Sequence, residues 1–192
     1  MRAAEPVMTV DEFLEQRFDL PESGQWSELV QGRLVHLQPP DLDHGNTVLN
    51  LSKMLAGYAL QAEGYSCFGL GLLLERQPDT VWFPSVSYFD SGPRFAETDK
   101  QVSETVPAAV IELASTADRR RPMSARARRY LAWGVQEVWI VDPAAQSVQL
   151  VSADQPGPPR CWSRGETVAA GGCFAGLQLR VDELFVEPAW WS

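Results

Sequence analysis

Glu112 is the one charged residue in the apolar run Pro107–Ala114. A carboxylate there is costly to desolvate unless it is ion-paired, hydrogen-bonded or bound to a metal. The run reads as a buried strand that feeds a helix. In open α/β sheets the carboxyl end of such a strand is where ligands bind. Two readings stay open on residue type alone: a structural salt bridge to an arginine of the next helix, or a functional carboxylate. Phosphodiester hydrolysis needs two or more acidic oxygens around a divalent ion, and a cation nearby to stabilise charge or place the attacking water. The candidates on neighbouring elements are Glu28, His44, Ser85 and Arg126.

Thr9 and Glu12 have the spacing of a capping box and open a short helix. Trp26–Val30 and Arg33–Leu37 read as a hairpin turning at Gln31-Gly32; Glu28 lies on its first strand. A helix is expected over His44–Glu63, capped by Asp41 or Asp43, with Val48, Leu51, Leu55 and Ala59 on its buried face. Strands are expected over Ser66–Glu75 and Thr80–Phe89, the second carrying Ser85. Residues 90–105 read as a long loop able to cover a site. A helix over 122–133 carries Arg126, with Met123, Ala127, Tyr130 and Leu131 turned inward. Gln136–Val141 follows as a buried strand, and the strand–helix–strand order favours a parallel pair. Ser147–Ser152 and the segment to Phe185 supply peripheral strands. The expected class is α/β (α+β): one domain over 1–192, a core at 9–185 and a loose tail at 1–8.

The 192 residues carry a formal net charge of −9, which gives no long-range attraction to nucleic acid. A local basic run does exist. Arg119, Arg120, Arg121, Arg128 and Arg129 are a candidate DNA contact surface, or simply a solvated helix face. Cys67, Cys161 and Cys173 lack metal-site spacing and suit free thiols in a reducing cytoplasm. No segment has the length and apolarity of a membrane span. There is no phosphate-binding loop or nucleophile elbow. His36 and His44 are too few for a histidine-rich metal site. Trp190 and Trp191 at the chain end suggest packing on the body or on a partner subunit, and a homodimer is expected.

The order of several segments resembles the Uma-type restriction endonuclease family, a bacterial branch of the PD-(D/E)XK nucleases. The segments are Met8–Phe13, Ser27–Val35, Pro39-Pro40 with His44-Gly45, Val110–Leu113 with Ser115, Tyr130–Val135 and Glu137–Pro143. The resemblance implies a restriction endonuclease-like core, a mixed β-sheet flanked by helices, and Mg²⁺-dependent cleavage of DNA. It places the N-terminal site acid at Glu28 and the central-strand metal ligand at Glu112, so that these two would hold Mg²⁺. The family aspartate after proline falls on Ser85, the family lysine on Arg126, and a recurrent histidine on His44. Ser85 removes a negative charge from the implied metal site and should weaken Mg²⁺ binding. Arg126 keeps its charge but cannot exchange a proton near neutral pH. Its expected role is contact with the scissile phosphate, and that of Ser85 is to hold a ligand water. Asp79 and Asp90 are poorly placed to replace the lost aspartate, whereas Glu75 remains a candidate. Two functions follow: a divergent endonuclease with a degenerate site, or an inactive nuclease-fold protein that binds nucleic acid or a protein partner.

Overall fold

Asp79 and the Thr9 cap fix the first helix, α1 (Val10–Gln16). Thr9 and Glu12 form the reciprocal capping box, and Asp79 accepts the Val10 N–H at 2.8 Å. The computed structural model describes residues 7–62, 64–155 and 157–189. The strands β1 (Ser27–Val30) and β2 (Arg33–His36) form the expected hairpin, with Gln31 and Gly32 both at positive φ. Helix α2 (Leu42–Ala59) starts at Asp41, whose side chain accepts the His44 N–H. It is shorter than the expected span, whose last residue, Glu63, lies outside the described residues.

Two of the expected strands are each divided between sheets. Ser66–Glu75 is β3 (Tyr65–Phe68) and β4 (Gly71–Glu75), parted at Gly69, which has φ 63°. Thr80–Phe89 is β5 (Thr80–Trp82) and β6 (Val86–Phe89). Pro84 has no N–H for a ladder and holds Phe83 extended, so the chain crosses from one sheet to the other at Phe83–Ser85. Continuous alternation of apolar residues hid both crossings.

The remaining strands are β7 (Val102–Ser103), β8 (Ala109–Leu113), β9 (Glu137–Asp142), β10 (Ser147–Ser152), β11 (Arg160–Ser163), β12 (Thr167–Ala169) and β13 (Gln178–Arg180). A short turn of helix, α3 (Ala117–Arg120), precedes α4 (Met123–Trp133), which stops at Gly134 with φ 118°. One sheet has the order β2-β1-β5-β4-β7 and the other β11-β10-β9-β8-β6-β3. As expected, β8 and β9 run parallel on either side of α4, while β10 is antiparallel to β9. The C-terminal strands are peripheral: β11 edges the larger sheet, and β12 and β13 pair with each other. Among the described residues no helix is long and apolar enough to cross a membrane.

Helix α2 and the C-terminal segment cover one face of the larger sheet through Leu51, Leu55, Ile111, Trp139, Phe174 and Leu179. Helix α4 covers the other through Met123, Ala127 and Tyr130 against Val110 and Val138. Gly172 lets the C-terminal segment approach, with φ 54° and a virtual Cβ only 1.9 Å from Glu137 Oε1. Gly172→Ala is therefore expected to destabilise the fold by about 1–3 kcal/mol, measured by urea unfolding. An unchanged midpoint would show that the Glu137 side chain gives way freely.

Candidate active site

Glu28, Ser85, Glu112 and Arg126 line one cavity of about 240 Å³, together with His44. The register accounts for this. Val86 pairs with Ile111 in the antiparallel β6–β8 ladder, so the next position outward sets Ser85 opposite Glu112. Glu28 arrives from the smaller sheet, where its Oε1 accepts the Phe83 N–H at 3.2 Å, beside the sheet crossing. Arg126 descends from α4. The cavity lies where the two sheets meet.

The carboxylates do not face each other across open space. Arg126 lies between them. Its Nη1 donates to Glu28 Oε2 at 2.7 Å and its Nη2 to Glu28 Oε1 at 2.9 Å. Its Nε and Nη2 donate to Glu112 Oε1 at 3.0 and 2.7 Å. The guanidinium carbon sits 4.3 Å from the centre of the Trp82 ring. Glu28, Glu112 and Arg126 are 3%, 4% and 8% exposed, so solvent screens these contacts little. Burial opposes the charge on Arg126, but the neighbouring Glu112 and Glu28 outweigh it and drive its pKa well up. Burial pushes the Glu112 carboxyl upward, with Arg126 pulling the other way.

Tyr130, one helical turn beyond Arg126, donates its hydroxyl to Glu112 Oε1 at 2.8 Å. Burial, then the Glu112 charge, raises its pKa far above the phenol range. The sequence placed Tyr130 only in the core; its i+4 spacing from Arg126 was the available signal. Trp82 carried no such signal, because its place over Arg126 depends on the sheet crossing.

Both oxygens of Glu28 and Oε1 of Glu112 thus hold Arg126, and Ser85 adds only a neutral hydroxyl. Among the described residues no group of three His, Cys, Asp or Glu side chains could hold a metal ion. The donor set does not fit a Mg²⁺ ion as these side chains stand. None of the three acids weighed as replacements supplies the missing carboxylate, Glu75 included. Asp79 serves α1, Glu75 pairs with Arg129, and neither they nor Asp90 lines the cavity. Residues 90–105 do not line it either. Their Glu97 is buried and accepts from Ser103, Thr105 and Lys100.

His44 Nδ1 lies 2.9 Å from Ser115 Oγ, and its ring meets Trp26 edge-on. Burial, then the Arg119 charge, lowers its pKa to about 4, so it is neutral at physiological pH. The arginine run does not form one basic face. Arg119 is buried in the cavity wall. Arg120 pairs with Asp142 and Arg129 with Glu75, whereas Arg121 and Arg128 are exposed. His36 stays on the hairpin beside Ser27 and Glu22. Trp190 and Trp191 lie outside the described residues.

Mixed sheets flanked by helices, with paired acids and a cation where they meet, define a nuclease-like α+β protein. The chain belongs to the Uma2 family, described as "Putative restriction endonuclease", whose model matches residues 10–182. Its structure is similar to the crystal structure of a "putative nuclease belonging to DUF820" from Anabaena variabilis ATCC 29413. That likeness has a TM-score of 0.73 and 21% identity, and covers 93% of this chain and 97% of that one. No curated protein matches the chain.

Proposed function

We propose that this chain is a nuclease-fold protein that binds nucleic acid and no longer hydrolyses it. The observation that carries the reading is the position of Arg126. It answers two buried carboxylates with one fixed cation, where the family pattern has a lysine beside a divalent ion. Family membership supports nucleic acid as the ligand, and exposed Arg121 and Arg128 offer backbone contacts.

The test is incubation of purified protein with supercoiled plasmid and single-stranded DNA in millimolar Mg²⁺ or Mn²⁺. No nicking is expected from the native chain or from Glu112→Ala. Metal-dependent cleavage by the native chain, abolished in Glu112→Ala, would overturn the proposal. It would support instead an endonuclease that uses Glu112. The convergence of Glu28, Ser85, Glu112 and Arg126 on one cavity is what favours that second reading.

A further inference from the structure

Arg119 is a buried cation with an unused hydrogen-bonding edge. It is 9% exposed, yet no carboxylate lies within ion-pair distance of it among the described residues. Only Nη1 is engaged, donating to the Gln38 carbonyl at 2.6 Å and to Thr116 Oγ1 at 2.9 Å. Nε and Nη2 donate to no described residue, and the side chain lines the cavity. These two nitrogens form the edge that meets two oxygens of a phosphate in parallel.

The surroundings pin that edge rather than quench it. The guanidinium carbon lies 5.1 Å from the Trp26 ring centre, and the same ring receives His44 edge-on. Asp118 is adjacent in sequence, but its oxygens are committed: Oδ2 accepts the Gln38 N–H and Oδ1 accepts from Thr116 and from the Arg119 backbone. Glu28 and Glu112 are held by Arg126. The Arg119 charge is felt by His44, whose protonation it opposes. Burial lowers the Arg119 pKa, and the charges of Asp118, Glu28 and Glu112 offset this only in part, so an incoming anion would give the guanidinium the direct partner it lacks.

We infer that Arg119 is the anchor of an oxyanion site in the cavity, which takes a phosphate group on Nε and Nη2 beside the Glu28–Arg126–Glu112 cluster. Arg17 stands at the same cavity, its guanidinium 4.0 Å from the centre of the Phe83 ring, and provides a second positive charge. The site rests on the nucleic-acid reading only for the source of the phosphate. The shared chemistry is a phosphate oxyanion, either a terminal monoester or an internal diester.

The experiment uses the full chain labelled with ¹⁵N-arginine, so that the Arg119 Nε–Hε signal reports directly. It is titrated with inorganic phosphate, with a 5′-phosphorylated DNA octamer and with the same octamer bearing a 5′-hydroxyl. The signal is assigned by its loss in Arg119→Lys. Inorganic phosphate is expected to shift it. Arg119→Gln is expected to weaken phosphate binding at least about tenfold by calorimetry, while Arg164→Gln, at an exposed ion pair with Asp182 outside the cavity lining, leaves it unchanged. Preference for the phosphorylated octamer identifies a strand end; equal response to both octamers identifies an internal diester. An Arg119 signal unmoved by all three ligands overturns the site, with no variant required. Octamer binding that survives Arg119→Gln also overturns it, yet leaves the nucleic-acid reading standing. Phosphate binding at Arg119 without octamer binding does the reverse.

Discussion

Replacing Arg126 by Met is expected to cost about 3–5 kcal/mol, because it leaves two buried carboxylates without their cation. For a chain of this size that lowers the melting temperature by about 6–20 °C. The deficit should depend on pH, and its sign follows from burial. Without Arg126, Glu112 loses its attraction to a positive charge, and burial then holds its folded-state pKa still further above the unfolded one. A raised carboxyl binds protons more tightly in the folded chain, so stability falls as pH rises through the folded value. The variant should therefore be more impaired at pH 8 than at pH 5, read by thermal melts at both. Glu28→Leu and Glu112→Leu added to Arg126→Met should recover most of the loss, since an apolar cluster replaces an ionic one. A triple variant no more stable than the single one would show that the cost of Arg126→Met was lost packing on Trp82.

The second large effect is a gain. Ser85→Asp combined with Arg126→Lys should create a divalent-cation site in this cavity. Aspartate at 85 adds a carboxylate opposite Glu112 in the extended β6–β8 register. Lysine has a single ammonium and cannot span the two carboxylates as the guanidinium fork does, so oxygens now on Arg126 become available. Manganese at about 100 times its dissociation constant stabilises a folded protein by about 2.7 kcal/mol. The double variant should thus melt about 5–10 °C higher with saturating Mn²⁺, and the native chain should not respond. Ser85→Asp alone should gain less, because Arg126 still fills the gap. A folded double variant with no Mn²⁺ response would mean that Glu28 and Glu112 cannot approach one ion even when released.

Local chemistry made much of this legible in the sequence. The capping box of α1, the Gly32 hairpin, the Gly134 stop of α4 and the parallel β8–β9 pair all follow from neighbouring residues or a short crossover. Glu112 announced itself by being charged in an apolar strand, and the salt-bridge reading describes what is there: it is paired with Arg126 of the next helix, in a cavity shared with Glu28. What was not legible is what depends on sheet membership. Alternation cannot tell one ten-residue strand from two short strands in different sheets, so the Phe83–Ser85 crossing was missed, and with it the place of Trp82. Arg119 was hidden by its company, because a run of arginines reads as a solvated face when only some of its members are.

That crossing has a mechanical consequence. Glu28 belongs to one sheet and Glu112 to the other, and the chain passes between the sheets at Phe83–Ser85, where the Phe83 amide also holds Glu28. The two sheets are like facing pages, with this segment in the spine and Arg126 as the clasp across the opening. A small tilt of one page against the other is read at once as a change in the spacing of the two carboxylates. Substitutions far from the cavity that shift this alignment should therefore show themselves first in the clasp, before any strand is lost.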